Sequence, residues 1–519
     1  MSWLDLDVKL SDNTLKFLNE NGFDKPTIIQ DVAAEAVTGS GKTLAFLVPS
    51  VEIVLRNLSS SGTKVLILSP TNELAIQTFE ILTSFLTHFT EFGLNCQLIS
   101  GINSHNGYCS KYDDIADYLK NKPQFVIATP GRLTDVFKLQ LEKDGSYIEK
   151  KHIVLSNTVV RGIRSIDLLV LDEADRLLDL GFEEQLDFIF GICSRQRRTA
   201  LFSATQTKKV EELFKAGLRN PVRLSVKESA IARNSHLPQL LKLDYVSLPR
   251  EEKFAYLINF LRAHRNNKIL IFLATCSCVT YFKKILTETL KGQPEDKIRK
   301  SLLTKNQRAN IFAVHGKLKN KRIDIFNKFK NSINGIMICT DVLARGIDVP
   351  SVNWVIQFDP PSNADSFVHR CGRTARFGKF GNALLMISEN EESYVNYLNI
   401  SHNIQVEEMD DSALLEDKTV NKPDEPDLSP VECRKIVQKM CQQDKLTYEL
   451  SMKAYVSYIQ FYRKHELNLI FQVKNIDFAN LANSFGLLRM PRMPELRGVD
   501  VSAYQPPAKE IPIENLEYK

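Results

Sequence analysis

Cysteine is scarce and scattered in this chain of 519 residues. There are nine cysteines, and only Cys276 and Cys278 lie close together in the sequence. One C-x-C pair without a second pair cannot supply the four ligands of a structural zinc site, so a zinc framework is excluded. The scatter also shows no disulfide pattern, and we expect nine reduced thiols in an intracellular protein.

Long hydrophobic runs are missing as well. No segment approaches the ~20 apolar residues that a transmembrane helix requires. The sequence begins MSWLDLDVKL, with aspartates where a secretory signal needs basic residues. The excess of positive charge is also small, because 67 basic and 62 acidic residues give a net charge of +5. The sequence therefore predicts a soluble protein that is not secreted, and its charge permits polyanion binding without requiring it.

A chain of this length is too long for one hydrophobic core, so we expect two or three domains. The most informative stretch is SIDLLVLDEADRLLDL, residues 165–180. Its apolar run predicts a strand buried on both faces, and that strand ends in Asp172 and Glu173. Open α/β sheets bind ligands at the carboxyl ends of their strands, so Asp172 can hold Mg²⁺ and Glu173 can orient or deprotonate a water. An acidic helix start is the structural alternative.

A glycine-rich loop upstream favours the chemical interpretation. Residues 32–37 predict a strand, and an apolar helix is predicted from near Leu44. Between them lies Thr38-Gly39-Ser40-Gly41-Lys42-Thr43, with Ala36 at the first glycine position of the phosphate-loop pattern. Its backbone amides can surround phosphate oxygens, Lys42 can bind the β- and γ-phosphates, and the Thr43 hydroxyl can ligate Mg²⁺. The loop and the carboxylates together predict a nucleotide triphosphatase.

Strands and helices alternate through two series, which predicts two doubly wound α/β domains. The first series continues with predicted strands at residues 64–69, 94–100, 124–128 and 198–202. The second begins near Lys242, with predicted strands at residues 268–273, 309–314, 335–339 and 352–358. Residues 226–238 lack periodicity and predict the linker between the two series.

The second series carries an arginine cluster, HRCGRTAR, at residues 369–376. Its arginines are interleaved with Gly372 and Ala375, which leave little bulk between them and an opposing surface. Arginines at this spacing often form a solvated helix face. The small residues between them favour a phosphate-facing group instead.

These motifs, taken together, resemble those of the DEAD-box RNA helicases. In order they read AVTGSGKT, PTNELA, TPGRL, DEAD, SAT, TDVLARGID and HRCGRTAR, and they extend over most of residues 36–376. The resemblance implies two tandem RecA-like domains that close over ATP and single-stranded RNA. Further along, SMKAYVSYIQFYRKHELNLIF and GLLRMPRMPEL resemble the branch of the family that acts in large (60S) ribosomal subunit assembly. That branch implies the nucleus and nucleolus, pre-rRNA and pre-ribosomal proteins as partners, and a monomer.

The resemblance also assigns residues to the nucleotide. Lys42 and Thr43 would hold phosphate and Mg²⁺, Asp172 would coordinate the metal, and Glu173 would be the catalytic base. The charge logic agrees, because a transferring phosphoryl group needs metal, lysine and arginine together. ATP and Mg²⁺ are therefore the expected cofactors.

The resemblance implies further nucleotide contacts from both halves of the chain. Arg373 and Arg376 would reach the γ-phosphate from the second lobe, with Arg376 as the arginine finger, and Asp348 would contact the ribose. Gln30, in a Q-motif-like segment at residues 22–30, would pair with adenine. An arginine supplied only on closure makes hydrolysis depend on the closed state, so RNA binding would gate the ATPase.

The RNA contacts implied by the resemblance suit a sugar–phosphate track, which carries no base sequence. They are Pro70, Thr71, Thr129, Pro130, Gly131, Arg132 and Thr340. Ser203, Thr205 and His369 would couple the nucleotide state to closure of the lobes rather than do chemistry.

The chain departs from the family pattern at three places. Asn72 stands where the family usually has arginine, and Ser100-Gly101 replaces the usual Gly-Gly. In addition, Gln30 is followed directly by a predicted strand, whereas the family has a helix there that needs roughly ten residues. We therefore expect weakened discrimination of ATP from GTP.

The C-terminal part differs in composition. Residues 407–427 hold nine acidic residues against two lysines and predict a solvated linker. Residues 431–497 hold eleven basic residues against six acidic ones, which is typical of an RNA-binding surface. Their aromatics are more typical of a helical core than of an RNA platform. These are Tyr448, Tyr455, Tyr458, Phe461 and Tyr462.

The predicted organisation is 1–226, RecA-like ATP-binding domain; 227–239, linker; 240–406, RecA-like helicase C-terminal domain; 407–430, acidic linker; 431–500, basic helical extension; and 501–519, tail. The predicted function is an ATP-dependent RNA helicase that locally separates short duplexes during ribosome assembly. Two alternatives stay open. One is an ATP-controlled RNA clamp with little strand separation, and the other is a weakened isoform that lacks the helix after Gln30.

Overall fold

The structure is a computed structural model of the chain. It describes residues 10–23, 42–58, 62–101, 109–138, 150–203, 210–213, 240–290, 310–318, 321–341, 352–375, 380–409, 427–507 and 516–518. For Lys42 and residues 150–156 it describes the backbone alone. The chain divides into two compact units. The first holds the described residues up to Leu213, and the second holds those from Leu240 onward.

The first unit is built on a parallel five-stranded sheet. Its strands are β1 (Val65–Leu68), β2 (Cys96–Ile99), β3 (Phe125–Ala128), β4 (Leu168–Leu171) and β5 (Arg198–Leu201). Their spatial order is β2-β3-β1-β4-β5, and every neighbouring pair is parallel. β1, β3 and β4 are buried at every residue, as expected for strands that helices cover on both faces.

Helices of the first unit pack against both faces of this sheet. They are α1 (Asp12–Glu20), α2 (Lys42–Arg56), α3 (Asn72–Leu86), α4 (Lys111–Asn121), α5 (Pro130–Lys138), α6 (Lys150–Arg164), α7 (Ala174–Asp179) and α8 (Glu183–Ile192). Two hydrophobic cores result, because alternate strand residues point to opposite faces. Ile67 and Val170 join the core of α1, α2 and α3, whereas Leu66 and Leu169 join the core of α5, α7 and α8.

The second unit is built on a seven-stranded sheet, again parallel at every neighbouring pair. Its spatial order is β12-β6-β11-β10-β7-β9-β8. The strands are β6 (Leu241–Ser247), β7 (Lys268–Phe272), β8 (Ile311–Val314), β9 (Gly335–Cys339), β10 (Trp354–Gln357), β11 (Gly381–Ile387) and β12 (Glu407–Glu408). β7, β9 and β10 are buried throughout, so this sheet is also covered on both faces.

The helices of the second unit include a C-terminal extension, formed by the last three. In order they are α9 (Lys253–Ala263), α10 (Cys276–Thr289), α11 (Lys321–Lys330), α12 (Ala364–Cys371), α13 (Ser393–His402), α14 (Pro430–Gln443), α15 (Lys445–Arg463) and α16 (Phe478–Ser484). The extension packs on α10: the Tyr281 ring stacks on Phe485 with centroids 5.9 Å apart, and its hydroxyl donates to the Phe485 carbonyl over 2.5 Å. The extension is therefore held against α10 by both an aromatic contact and a hydrogen bond.

The predicted fold class, two doubly wound parallel sheets followed by a helical extension, is confirmed. The strand predictions that fall on described residues agree with the structure to within two residues at each end. The strand predicted at residues 32–37 and the linker predicted at residues 226–238 lie outside the described residues. The sequence did not predict β11. It also placed β12 in the acidic linker, because charged residues are exposed on an edge strand as they are in a linker.

Two predictions drawn from absences can be compared with the structure. All nine cysteines are free thiols. Among the described residues, no helix is both long and apolar enough to cross a membrane.

Candidate nucleotide and RNA sites

The predicted carboxylates lie at the carboxyl edge of the first sheet. Asp172 and Glu173 follow β4 directly and are 4% and 6% exposed. The Asp172 amide donates to the Leu68 carbonyl over 2.9 Å, and the Ala174 amide donates to the Phe202 carbonyl over 2.9 Å. Backbone hydrogen bonds to β1 on one side and to the end of β5 on the other thus fix where these carboxylates leave the sheet.

Glu173 has an uncommon backbone conformation. Its φ of 48° and ψ of 58° lie in the left-handed region, at the N-cap of α7. For a residue other than glycine this costs roughly 1–3 kcal/mol and persists only where the surroundings enforce it. Its Oε2 atom is buried and accepts no hydrogen bond from the part of the chain that the structure describes. Strain and an unused buried acceptor are typical of a group kept for chemistry.

Two further predicted residues lie at the ends of elements in the first unit. Thr43 lies half-buried in the first turn of α2, directly after Lys42, whose backbone begins that helix. Ser203 follows β5 and is 5% exposed, and the Phe202 amide before it donates to the Leu171 carbonyl over 2.9 Å. The structure therefore places Ser203 beside the carboxylate pair.

The donor set fits Mg²⁺ in its chemistry. A threonine hydroxyl and one carboxylate are hard oxygen ligands, and Mg²⁺ in nucleotide sites takes its other ligands from phosphates and water. Among the described residues, no group of three or more His, Cys, Asp or Glu side chains could hold a metal ion. Thr43 and Asp172 are thus suited to a metal that arrives with its nucleotide.

The predicted RNA residues of the first unit share one edge of the sheet. Pro70 and Thr71 follow β1, whose last residue is in register with the last residue of β3. Pro70 is buried, and the half-buried Thr71 caps α3, because its hydroxyl accepts from the Leu74 amide over 3.3 Å. Asn72 is the first residue of α3. The segment Thr129–Arg132 follows β3 and opens α5, with Thr129 and Pro130 buried and Gly131 half-buried.

Arg132 is held by neighbours that the sequence did not reveal. Its Nε donates to Asp114 Oδ2 over 2.6 Å, and its Nη2 donates to the Cys109 carbonyl over 2.7 Å. Burial raises the pKa of Asp114, although Arg132 acts in the opposite direction. The guanidinium lies against Gly101, where an added Cβ would meet it at 3.8 Å. Asp114 thus sets the orientation of Arg132 through a charged hydrogen bond.

The second unit joins two of its motifs through a buried arginine. Thr340 is half-buried at the end of β9, and Asp341 follows it. Arg370 of α12 is fully buried and binds Asp341 with two hydrogen bonds, Nε to Oδ1 at 2.6 Å and Nη2 to Oδ2 at 3.1 Å. Its Nη1 donates to the Asp359 carbonyl over 2.7 Å. The position of α12 and that of the segment around Thr340 are therefore linked.

The remaining arginine-cluster residues are tightly packed. His369 and Arg373 are each 1% exposed, and Arg373 Nε donates to the His369 carbonyl over 3.2 Å. Ala375 has a φ of 54°, in the left-handed region. A Cβ on Gly381 would overlap the Thr374 hydroxyl and the Ala375 amide nitrogen, so β11 can begin this close only with glycine.

Several predicted site residues lie outside the described residues. These are Gln30, Thr38, Gly39, Ser40, Gly41, Thr205, Asp348 and Arg376. The same holds for the side chain of Lys42 and for the position after Gln30 where the family has a further helix. Their roles stay predictions.

The sequence contained weak signals for the residues that its motifs missed. Ser110 and Asp113 form a capping box that begins α4, which places Asp114 in the first turn of that helix. Gly381 precedes an apolar run, a position that often marks close backbone approach. Neither signal identifies the residue that is contacted, because Asp114 contacts Arg132 and Gly381 contacts Ala375, and both contacted residues belong to other elements.

Comparisons with known proteins agree with this geometry. Residues 25–213 match the family model described as DEAD/DEAH box helicase, and residues 252–378 match the helicase conserved C-terminal domain. Residues 444–493 match the model described as ATP-dependent rRNA helicase SPB4-like, C-terminal extension. The last range contains α15 and α16.

Relatives and solved structures extend the match to nearly the whole chain. The chain is 44% identical over 512 residues to ATP-dependent RNA helicase DDX55 of Gallus gallus, covering 96% of this chain and 78% of the relative. It is 35% identical over 521 residues to ATP-dependent rRNA helicase SPB4 of Candida glabrata, covering 96% and 76%. The structure of Mss116p bound to ssRNA and AMP-PNP superposes with a TM-score of 0.72 at 25% identity, covering 92% of this chain and 88% of that one. The chain belongs to the DEAD-box family of ATP-dependent RNA helicases.

Proposed function

We propose that this RNA helicase acts on ribosomal RNA during assembly of the large ribosomal subunit. The observation that carries the proposal is the match of residues 444–493, within the extension, to the SPB4-like model, together with the packing of the extension on α10. The relative from Candida glabrata, named an rRNA helicase, is 35% identical to this chain over 521 residues. Helicase lobes that contact the RNA backbone do not read base sequence, so target choice belongs to the extension.

At the nucleotide site, each proposed role follows from the chemistry of the side chain. Lys42 binds the β- and γ-phosphates of ATP, and Thr43 with Asp172 holds Mg²⁺. Glu173 accepts the proton of the attacking water, a role suited to its Oε2, which is buried and accepts no hydrogen bond from the described residues. The metal, when bound, neutralises phosphate charge. The backbone of the phosphate loop completes the cradle, at Thr38, Gly39, Ser40 and Gly41.

The second unit supplies the remaining nucleotide contacts in this proposal. Arg373 and Arg376 stabilise the charge on the transferring phosphoryl group, with Arg376 as the finger. Asp348 binds the ribose, and Gln30 of the first unit pairs with adenine. Because the arginines act only when both units enclose the nucleotide, RNA that favours closure stimulates hydrolysis.

The proposed RNA track uses residues at the strand ends of each sheet. In the first unit Thr71, Thr129 and Arg132 follow neighbouring strands, and in the second unit Thr340 follows β9. Pro70, Pro130 and Gly131 complete the track. Ser203, Thr205 and His369 couple the nucleotide state to closure.

The proposed organisation keeps the predicted boundaries except at β12 (Glu407–Glu408), which pairs with β6 and so belongs to the second lobe. It is then 1–226 for the first lobe, 227–239 for the linker, 240–408 for the second lobe, 409–430 for the acidic linker, 431–500 for the extension and 501–519 for the tail. We further propose a monomer that works in the nucleus and nucleolus among pre-ribosomal proteins. Because the chain lacks the family's helix after Gln30, we also propose that it selects ATP over GTP less strongly.

A strand-separation assay tests the proposal. Short duplexes of large-subunit rRNA sequence are mixed with the full chain and either ATP or a non-hydrolysable analogue. We expect strand separation with ATP but not with the analogue, because both relatives are named ATP-dependent helicases. Retention of RNA without separation would instead indicate the clamp.

In cells depleted of the protein, we expect a shortage of large ribosomal subunits. The intact chain should restore their number, and the Glu173→Gln chain should not. A normal subunit ratio would contradict the assignment to ribosome assembly.

A further inference from the structure

A buried ion pair connects the extension to the second lobe. Arg250, in the turn after β6, donates from Nη2 to Glu391 Oε1 over 2.6 Å, and Glu391 is fully buried. Two tyrosines of α15 join this pair: Arg250 Nη1 donates to the Tyr458 hydroxyl over 2.7 Å, and the Tyr462 hydroxyl donates to Glu391 Oε1 over 3.0 Å. The extension thus supplies polar groups to the ion pair as well as apolar packing.

Two more buried charges extend this cluster toward β10. Lys253 is 4% exposed and donates from Nζ to the Phe358 carbonyl over 2.7 Å, and Asp359 is 3% exposed. Burial lowers the pKa of Lys253 and raises that of Asp359, while each acts on the other in the opposite direction. Arg250, Lys253, Phe358, Asp359 and Tyr458 line one small cavity. The cluster therefore reaches the first two residues of the loop that follows β10, residues 358–363.

The extension also contacts the far end of this 358–363 loop. His465, just after α15, is 4% exposed and lies 2.8 Å from the Pro361 carbonyl through Nε2. Its Nδ1 accepts from the Leu467 amide over 3.1 Å, so Nε2 carries the proton and donates to Pro361. Asn363, which caps α12 by accepting from the Ser366 amide, donates to Glu466 Oε1 over 3.4 Å. Both ends of the loop are held from the extension.

The loop leads directly into the arginine-bearing helix. The Asp359 carbonyl accepts from Arg370 of α12, and Arg370 binds Asp341 next to Thr340. A continuous series of hydrogen bonds and buried charges thus joins α15, the 358–363 loop and α12. We propose that the extension sets the position of α12 for RNA-stimulated ATP hydrolysis, with Tyr462 and His465 as positioning residues.

This inference rests on the proposed function of the arginine cluster. An extension that only stabilises the second lobe would make the same apolar contacts. It would not require that polar side chains of α15 and its C-terminal end converge on the loop before α12. The two roles differ in what happens when a polar atom is removed while its ring is kept.

The test uses ring-preserving variants of the full chain. Tyr462→Phe removes the hydroxyl at Glu391, and His465→Phe removes the donor to Pro361 while keeping a ring against Phe471. The matched control is Tyr455→Phe on the same helix, since the Tyr455 hydroxyl donates over 3.0 Å to Phe478, within the extension. Thermal unfolding shows whether the variants lose similar stability.

The expected result is a selective loss of turnover. Because mutations along a coupled network typically change coupling two- to thirtyfold, we expect the Tyr462→Phe/His465→Phe chain to lose roughly that much RNA-stimulated kcat. The KM for ATP without RNA should be unchanged, and the Tyr455→Phe chain should stay within about twofold of the parent. Equal turnover in all three chains, or an equal loss in the control, would overturn the inference.

Hydrogen exchange provides a second readout that needs no turnover. Amides of α12 should exchange faster in the Tyr462→Phe/His465→Phe chain and at the parent rate in the Tyr455→Phe chain. Unchanged α12 exchange in both would also overturn the inference. A parent chain without RNA-stimulated ATPase would contradict the proposed function, while exchange at α12 would still decide whether the extension positions this helix.

Discussion

Glu173 is a single residue whose conformation and burial both oppose stability. Its left-handed backbone would be relieved by glycine or asparagine, and its buried Oε2 receives no hydrogen bond from the described chain. Packing alone therefore gives no reason for a glutamate at this position. The location of its carboxylate, at the end of a buried strand beside Asp172, gives a chemical reason for a glutamate.

The first prediction concerns this carboxylate. Glu173→Gln keeps the shape but removes the base, so turnover should fall by at least about 100-fold while ATP still binds. Lys42→Ala should lose both, because the lysine binds phosphate before the reaction. Steady-state ATPase and nucleotide-binding titrations on the two variants check this. Turnover near that of the parent chain in Glu173→Gln would remove Glu173 from the chemistry.

The second prediction concerns Asp114, which orients Arg132. Asp114→Asn removes the negative partner of a 2.6 Å hydrogen bond, so the guanidinium should lose its fixed orientation. We expect RNA affinity, measured by anisotropy with a non-hydrolysable ATP analogue, to fall roughly three- to tenfold. Asp113→Asn is the matched control, because the exposed Asp113 caps α4 at Ser110 and acts on Arg132 through its charge rather than through a hydrogen bond. An equal loss in both variants would mean that α4, and not the Asp114 carboxylate, matters.

Among the elements, α15 shows what periodicity can and cannot predict. Four of the five predicted core aromatics, Tyr448, Tyr455, Tyr458 and Tyr462, are buried, whereas Phe461 is only half-buried. Spacing alone indicates the buried face of a helix. It cannot indicate that two of the hydroxyls bind an Arg250–Glu391 pair, because those partners lie far away in sequence and meet α15 only in the folded unit.

The strands show the same division. β7 and β9 were predictable because a short apolar run is the signature of a strand buried on both faces. β12 was not, because its two glutamates are exposed and its order comes from backbone pairing with Asp244 and Tyr245. For the site, the motifs identified the strand-end residues, whereas Asp114 and Asp359 became visible only once helices and loops were placed around them.

A third prediction concerns His465 at the end of α15. Burial lowers the pKa of this imidazole to about 4, so it is neutral in the folded chain at neutral pH. In the unfolded chain the His465 imidazole binds a proton near pH 6.5. Protonation therefore favours the unfolded chain, and the free energy of unfolding decreases as the pH falls from about 6.5 to about 4.

Thermal or urea unfolding at several pH values measures this effect. The slope from His465 is at most about 1.4 kcal/mol per pH unit. His465→Gln can still donate to Pro361 but cannot titrate, so its stability should fall less steeply with acid. Parallel pH profiles for the two chains would show that His465 is protonated in the folded state too.

At the scale of the whole molecule, charge is unevenly distributed. Residues 431–497 hold a surplus of five basic residues, which equals the net charge of the entire chain. Within this segment Arg463 pairs with Glu495 at 3.4 Å and Lys453 with Glu449 at 3.6 Å, and both glutamates are already counted against the basic residues. Lys435 and Lys439 remain exposed one turn apart on α14, and Lys464 is exposed at the end of α15.

These three lysines are the basis of the last prediction. If they bind phosphates, replacing all three by glutamine should weaken RNA binding. The slope of log affinity against log salt should also become shallower, by about 0.7 for each phosphate of a single strand that the variant no longer neutralises. The control for a change of charge alone replaces three exposed lysines of the first unit, Lys16, Lys120 and Lys122, by glutamine. Thermal unfolding should be unchanged, because none of the three lysines is buried. A salt slope equal to that of the parent chain would mean that the surplus charge is only solvated, and that the extension selects its target through other residues.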